Sequence, residues 1–360
     1  MAEVCDVVVI GGGQAGLAAG YFLRRAGLDF AVLDAAPEPG GAWQHGWDSL
    51  RLFSPAEHSP LPGWPMPRQP GEEFPTAGHV VDYLARYEQR YDLPVHRPVR
   101  VHGVHRGEND LAAHTDHGTW HARAVISATG TWQSPYVPSY PGQEKFTGHQ
   151  LHTVSYRRPD DFRGQRVIVV GGGNSAAQIL AEVSTVAETT WVTSRRPRFM
   201  PEGVDGRVLF DVATRREAAR RLGTEDTGGV AALGDIVMVP GVLEARDRGV
   251  LHAEPMFTRL TAGGVAWTDG SERIADAIIW CTGFRPSLRH LRPLALRRHG
   301  GIIPTDGTRS IQEPRLYLLG YGDWTGPASA TLIGAGRTAK TTVADIAERL
   351  TVPVSARRRP

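Results

Sequence analysis

Two glycine clusters, about 160 residues apart, carry the chemistry most plainly written in this chain. The first, Gly11-Gly-Gly13-Gln-Ala-Gly16, follows the apolar run Val7 to Ile10 and opens a helical stretch that ends at Gly27. In such a GxGxxG turn Gly11 permits the tight reversal, Gly13 lets a pyrophosphate reach the backbone, and Gly16 lets helix and strand pack closely with the helix N-terminus toward the anion. Asp34 follows the next apolar run, Phe30 to Leu33, at the distance expected of a carboxylate that binds ribose hydroxyls. The second cluster, Gly171-Gly-Gly173-Asn174-Ser175-Ala176, is a GxGxxA variant behind the run Val167 to Val170. Here the following strand, Thr189 to Thr193, leads into Ser194, Arg195 and Arg196 in place of an acid. Hydroxyl and guanidinium groups bind a 2′-phosphate that an acid would repel, so this site is expected to take NADPH, with NADH possible. Two dinucleotide sites on one chain imply hydride transfer from a nicotinamide to a flavin, here FAD.

The remaining composition narrows the electron acceptor. Cys5 and Cys281 are the two cysteines, each beside an apolar run, and no CxxC pair exists. Dithiol exchange and a clustered metal site are therefore not expected. Forty basic and 38 acidic side chains leave a net charge of +2, which predicts neither nucleic-acid nor membrane recruitment. With no charged leader and no apolar run of membrane length, the expected location is the cytoplasm and the expected partners are a small-molecule substrate and dioxygen. The sequence leaves oligomeric state open, a homodimer being one option.

The elements that must position these residues read as α/β. Strand, glycine turn, helix and strand recur at each cluster, which predicts two βαβ units with parallel sheets. His79 to Tyr91, with Val80, Leu84, Tyr87 and Tyr91 at spacings of three and four, reads as an amphipathic helix. Short strands are expected near Val99 to Val104, Leu111 to Thr115, Thr119 to Ile126, Gly264 to Trp267 and Ala275 to Trp280, and a last helix over Ala335 to Leu350. Ala36 to Thr76 is dense in proline and glycine and is expected to be a long loop whose Trp43, Trp47, Phe53 and Trp64 either wall a site or pack a core. Pro201 to Pro240, rich in Arg, Gly and Asp, reads as an irregular insertion, a candidate lid.

Between the glycine clusters stands Phe146-Thr-Gly148-His-Gln-Leu-His152-Thr-Val-Ser-Tyr156-Arg157. This resembles the FxGxxxHxxx(Y/F)(K/R) fingerprint of class B flavin-containing monooxygenases, and Tyr156 favours the heteroatom-oxygenating branch, since Baeyer–Villiger relatives usually carry Trp there. Gly40-Gly41-Ala42-Trp43, Ala128-Thr129-Gly130 and Cys281-Thr282-Gly283-Phe284 match further family motifs. The stretches Trp43 to Pro55 and Leu319 to Pro327 look most like the ArsO-type monooxygenases of arsenic-resistance gene clusters.

The resemblance implies two Rossmann-like domains in a glutathione-reductase-like arrangement, the second inserted in the first. Expected limits are 1–155 and 282–354 for the FAD domain, 156–281 for the NADPH domain, and 355–360 for a disordered tail. It implies that Gly41, Trp43, Thr129, Gly130, Thr282 and Gly283 face the cofactors, and that the Gly322-Asp323 carboxylate binds the FAD ribityl chain. The segment around His152 would link the domains and help set the nicotinamide site, a coupling role. The active-site Asn that many members carry is absent from Ser49-Leu-Arg-Leu-Phe-Ser54, so Arg51 or Ser54 would substitute by hydrogen bonding. The implied reaction is NADPH-driven monooxygenation in which a flavin C4a-hydroperoxide oxygenates sulfur, nitrogen or trivalent arsenic. The alternative is an NAD(P)H-dependent flavoprotein reductase that passes electrons to a partner protein.

Overall fold

Val7, Val8, Val9 and Ile10 are all buried, as expected of a parallel strand covered on both faces. In the computed structural model, which describes residues 2–222 and 233–351, they form the end of β1 (Ala2–Ile10). The chain divides into two compact units, one of Met1–Gln44, Pro55–Gln133 and Pro286–Pro360, the other of His45–Ser54 and Ser134–Arg285.

In the first unit β1 leads into α1 (Gln14–Arg25), β2 (Phe30–Leu33), α2 (Ala77–Arg90) and β3 (Val95–His96). A meander of β4 (Val101–Arg106), β5 (Leu111–Thr115) and β6 (Gly118–Ser127) follows. The ten-residue β6 serves three ladders, antiparallel to β5 and parallel to β1 and to a later strand at Leu316–Leu318. In the second unit the order is β7 (His149–His152), β8 (Arg166–Val170), α3 (Asn174–Val183), β9 (Glu188–Thr193), α4 (Gly206–Leu222), α5 (Pro240–Asp247) and β10 (Ala253–Pro255). A second meander, β11 (Arg259–Thr261), β12 (Gly264–Ala266) and β13 (Glu272–Ile274), precedes β14 (Ala277–Trp280). The chain closes in the first unit with β15 (Thr305–Asp306), β16 (Arg309–Ser310), β17 (Leu316–Leu318) and α6 (Leu332–Thr351).

Each unit repeats one parallel order, β17-β6-β1-β2-β3 in the first and β10-β9-β8-β14-β7 in the second. The first glycine-bearing strand therefore lies centrally, with its βαβ partner on one side and the returning strand on the other. That reversal of strand order opens a crevice at the carboxyl ends of the strands, where dinucleotides bind in such sheets.

The period of two along a strand explains how the second sheet is covered. Val167 and Val169 pack with Ala176, Ile179 and Leu180 of α3, while Ile168 and Val170 pack on the other face with Phe257 and Val265. In α2 the Thr76 hydroxyl caps the helix by accepting from the His79 amide, and Val80, Tyr83, Leu84 and Tyr87 form the buried stripe.

The compact units change at 133/134 and 285/286, where the sequence suggested 155/156 and 281/282: β7 hydrogen-bonds to β14 from His149↔Ala277 to His152↔Trp280, and upstream of the fingerprint the Tyr136 amide donates to the Gly283 carbonyl and the Leu260 amide to the Pro141 carbonyl. Residues 45–54 also belong there, with the Asp48 amide donating to the Arg157 carbonyl at 3.0 Å and Trp47 edge-on to Tyr156. Part of the expected irregular insertion is helix α4, which a weak apolar period concealed. The rest of that insertion at 223–232, and the tail at 355–360, lie outside the described residues. Within the aromatic loop Trp47 is core in the second unit, while Trp64 packs at a tilt on Tyr83 beneath Arg86 and Arg90 in the first.

Candidate functional site

The glycines of the first turn are dictated by their neighbours. A Cβ on Gly11, whose φ is +107°, would sit 2.6 Å from the carbonyl oxygen of Ala128, and one on Gly16 would sit 1.9 Å from that of Gly11. Gly13 meets only the Cα of Gly41, at 3.8 Å, and a Cβ on Gly41 would in turn lie 2.8 Å from Gly13. The two bare glycines thus line one cradle. Helix α1 starts at Gly13 with no side-chain cap and no acid in its first turn. Its amide donors and dipole are left for an anion, which fits the pyrophosphate of a dinucleotide.

The second turn has the same construction. A Cβ on Gly171, φ +137°, would lie 2.2 Å from the Cys281 carbonyl oxygen, and Gly173 opens α3 with nothing within 4 Å and neither cap nor acid. Where the first unit has Gly16, the second has buried Ala176. Thr129-Gly130 and Thr282-Gly283 are matching turns, each pressed under its glycine loop through the preceding carbonyl. Thr129 Oγ1 donates to the Ser287 carbonyl at 2.7 Å, and Thr282 Oγ1 donates to that of Tyr136.

Asp34 is buried and its Oδ2 accepts from Arg97 Nε at 2.9 Å. Trp43 Nε1 donates to Gln14 Oε1 at 2.9 Å, so Trp43 is tied to the start of α1. Asp323 stands exposed in a single 3-10 turn after β17, and among the described residues its carboxylate takes no hydrogen bond. The turn itself is held by Ser329 Oγ and the Thr325 amide, both donating to the Gly322 carbonyl.

In the second unit Ser175 is half-buried, while Ser194, Arg195 and Arg196 are exposed. Among the described residues neither arginine makes an ion pair; Arg198 is the one that pairs, with Asp235 at 2.7 Å. Asn174 Oδ1 accepts from the Val237 amide at 2.8 Å.

His152, Arg51 and Ser54 each engage the protein itself. Both ring nitrogens of His152 are engaged: Nδ1 accepts from the Val154 amide at 3.2 Å and Nε2 donates to the Gly283 carbonyl at 3.0 Å. Burial lowers its pKa, against the opposing pull of that carbonyl, so the ring is a neutral latch on the Thr282-Gly283 turn. Arg51 Nη1 turns back to the Ser49 carbonyl. Ser54 packs on Gly206, where an added Cβ would collide with the hydroxyl.

Residues 8–209 match the model of the pyridine nucleotide-disulphide oxidoreductase family. A flavin-containing monooxygenase from Stenotrophomonas maltophilia is 52% identical, covers 97% of this chain and 100% of its own, and superposes with a TM-score of 0.88. The chain belongs to this oxidoreductase family and to the flavin-containing monooxygenases. It is an enzyme, a flavin monooxygenase dependent on a nicotinamide cofactor. A CzcO-like oxidoreductase of Geobacillus kaustophilus is 29% identical over 354 residues, 96% of this chain and 99% of its own. Indole-3-pyruvate monooxygenase YUCCA1 of Oryza sativa subsp. japonica is 26% identical over 368 residues, 88% of this chain and 87% of its own. This monooxygenase holds two single thiols, Cys5 and Cys281, each pushed up to about 12 by burial. Among the described residues no group of side chains is arranged to hold a metal, and no helix is long and apolar enough to cross a membrane.

Sequence reading missed several residues of the monooxygenase. In register, Ile10 faces Leu33 and Val170 faces Val192, so Thr193, not Ser194, occupies the place of Asp34. Strand pairing alone reveals this.

A buried donor chain also escaped notice. Because Thr129 Oγ1 gives its proton to the Ser287 carbonyl, Tyr321 must donate to Thr129 (2.8 Å), Ser127 to Tyr321 (2.7 Å), and His290 Nε2 to Ser127 (3.0 Å). Burial, with Arg298 adding, lowers His290 to about 4, consistent with the neutral Nε2–H form. A histidine, a serine and a tyrosine nearly 200 residues apart in sequence carry no local signal.

Proposed function

We propose that the first unit holds FAD and the second NADPH, and that the enzyme transfers one atom of dioxygen to a soft nucleophile: sulfur, nitrogen or trivalent arsenic. One observation carries this reading: the same uncapped helix start beneath a glycine turn and a Thr-Gly turn is built twice in a chain with no dithiol. Bound flavin would supply oxygen activation and bound nicotinamide the hydride.

The chain's own residues would bind and orient. Gly13 and the start of α1 face the pyrophosphate of the flavin nucleotide, Asp34 its ribose and Asp323 its ribityl hydroxyls. Ser194, Arg195 and Arg196 hold the 2′-phosphate, with Thr193 in place of the acid that would repel it. Thr282 and Gly283, fixed by His152, shape the nicotinamide side.

The substrate class rests on the fingerprint ending in Tyr156 and on the likeness to ArsO-type sequences. Cys5 and Cys281 lie singly in different strands and turns, so an arsenical would react without a cysteine cage. The test is NADPH turnover under ¹⁸O₂ with methyl phenyl sulfide, trimethylamine and methylarsenite in separate arms. One labelled oxygen in a product, stoichiometric with NADPH, is expected; NADPH consumed only into hydrogen peroxide in every arm would refute oxygen transfer to this class.

A further inference from the structure

The middle glycine of the first turn has no conformational reason to be glycine, since Gly12 is absent from the positive-φ residues. What excludes a side chain there is an ion pair: a Cβ on Gly12 would lie 2.7 Å from Arg97 Nη2 and 2.7 Å from Asp34 Oδ2. Arg97 donates through Nε to Asp34 at 2.9 Å, and through Nη1 and Nη2 to the two Glu88 oxygens at 2.7 and 2.6 Å. Nη2 also reaches the Gly12 carbonyl at 3.5 Å. All three side chains are 11–12% exposed.

We infer that Arg97 is a positioning residue of the flavin cradle, holding the Asp34 carboxylate by one oxygen so that the other stays aimed at the ribose hydroxyls, with Glu88 locking the guanidinium from behind. The claim rests on the reading that the first unit takes FAD. Asp34 is otherwise fixed only through its backbone, its amide donating to the His96 carbonyl and its carbonyl accepting from the Val99 amide. Its Oδ1 receives no more than a 3.4 Å contact from the Ala36 amide, which leaves acceptor capacity for a ligand. A planar guanidinium satisfies two carboxylates in one plane, which lysine cannot do. With two anions and one cation the cluster keeps a net negative charge, suited to neutral hydroxyl donors and hostile to a phosphate. Burial drives the Glu88 carboxyl upward while its hydrogen bonds to Arg97 oppose that shift.

Among the described residues the second sheet holds no such device. β9 pairs with β10 so that Thr193 faces Pro255, the register position that follows β3 as Arg97 in the first unit. There a Cβ on Gly172 would touch only Thr193, at 3.8 Å.

The test is a double-mutant cycle on apoprotein titrated with FAD and read by quenching of flavin fluorescence. Arg97→Gln and Asp34→Asn are each expected to weaken FAD by roughly tenfold or more, and the double variant by little more than the worse single, because coupled groups lose one interaction together. Arg97→Lys, which keeps the charge and spares the fold, should still lose about threefold or more, since a single ammonium cannot replace the fork. Multiplying losses in the cycle, or an Arg97→Lys affinity equal to wild type, would overturn the role. Wild-type apoprotein that takes up no FAD would instead refute the cofactor assignment itself.

Discussion

A side chain on Gly171 would drive its Cβ to within 2.2 Å of the Cys281 carbonyl oxygen. Gly11 stands to the Ala128 carbonyl in the same way, at 2.6 Å. In each unit the glycine turn is therefore packed against the Thr-Gly turn that follows the returning strand, and the two motifs act as one piece.

Gly171→Ala combines a forbidden φ with backbone overlap, and should destabilise the enzyme by about 3 kcal/mol or more. Gly173→Ala meets nothing within 4 Å and should melt close to wild type, yet bind NADPH worse because the methyl blocks approach to the backbone. Thermal melts and NADPH KM for the two variants separate packing from ligand contact.

Arg195→Ala with Arg196→Ala should raise the KM for NADPH by roughly tenfold per arginine that contacts the phosphate, and the KM for NADH far less. Equal responses to the two cofactors would refute the phosphate assignment. Steady-state kinetics with both nucleotides decide it.

His152→Gln keeps a donor for Gly283 but loses the acceptor for the Val154 amide, and should cost about 1–3 kcal/mol of stability. kcat should fall while the shape of its pH profile stays that of wild type. Loss of one limb of that profile would restore proton transfer to His152.

His290 makes stability pH-dependent. Its folded pKa is depressed to about 4 from 6.5, so as pH falls the unfolded chain takes the proton first. Its contribution is full above about pH 6.5, declines through the window down to about 4 and then levels, a loss on the order of 3 kcal/mol. Melting temperatures measured across that window should fall for wild type and fall less for His290→Gln.

What the sequence by itself determined is local. Glycine spacing and the apolar runs before it marked both glycine turns, because a turn that needs glycine states its requirement in adjacent residues. The helix over residues 77–90 was legible through its apolar period, and a last helix was expected where residues 332–351 form one.

Tertiary structure alone decided where the units divide, since β7 finds its partner in β14 some 128 residues later. It alone gave Thr193 the register position in the second sheet that Asp34 holds in the first, turned the Asn174 oxygen to Val237, and closed both nitrogens of His152. It also gathered Arg97, Glu88 and Asp34 into one cluster and His290, Ser127 and Tyr321 into another. Strand register and buried hydrogen bonds join residues far apart in the chain, and no spacing rule records a partner that only folding brings near.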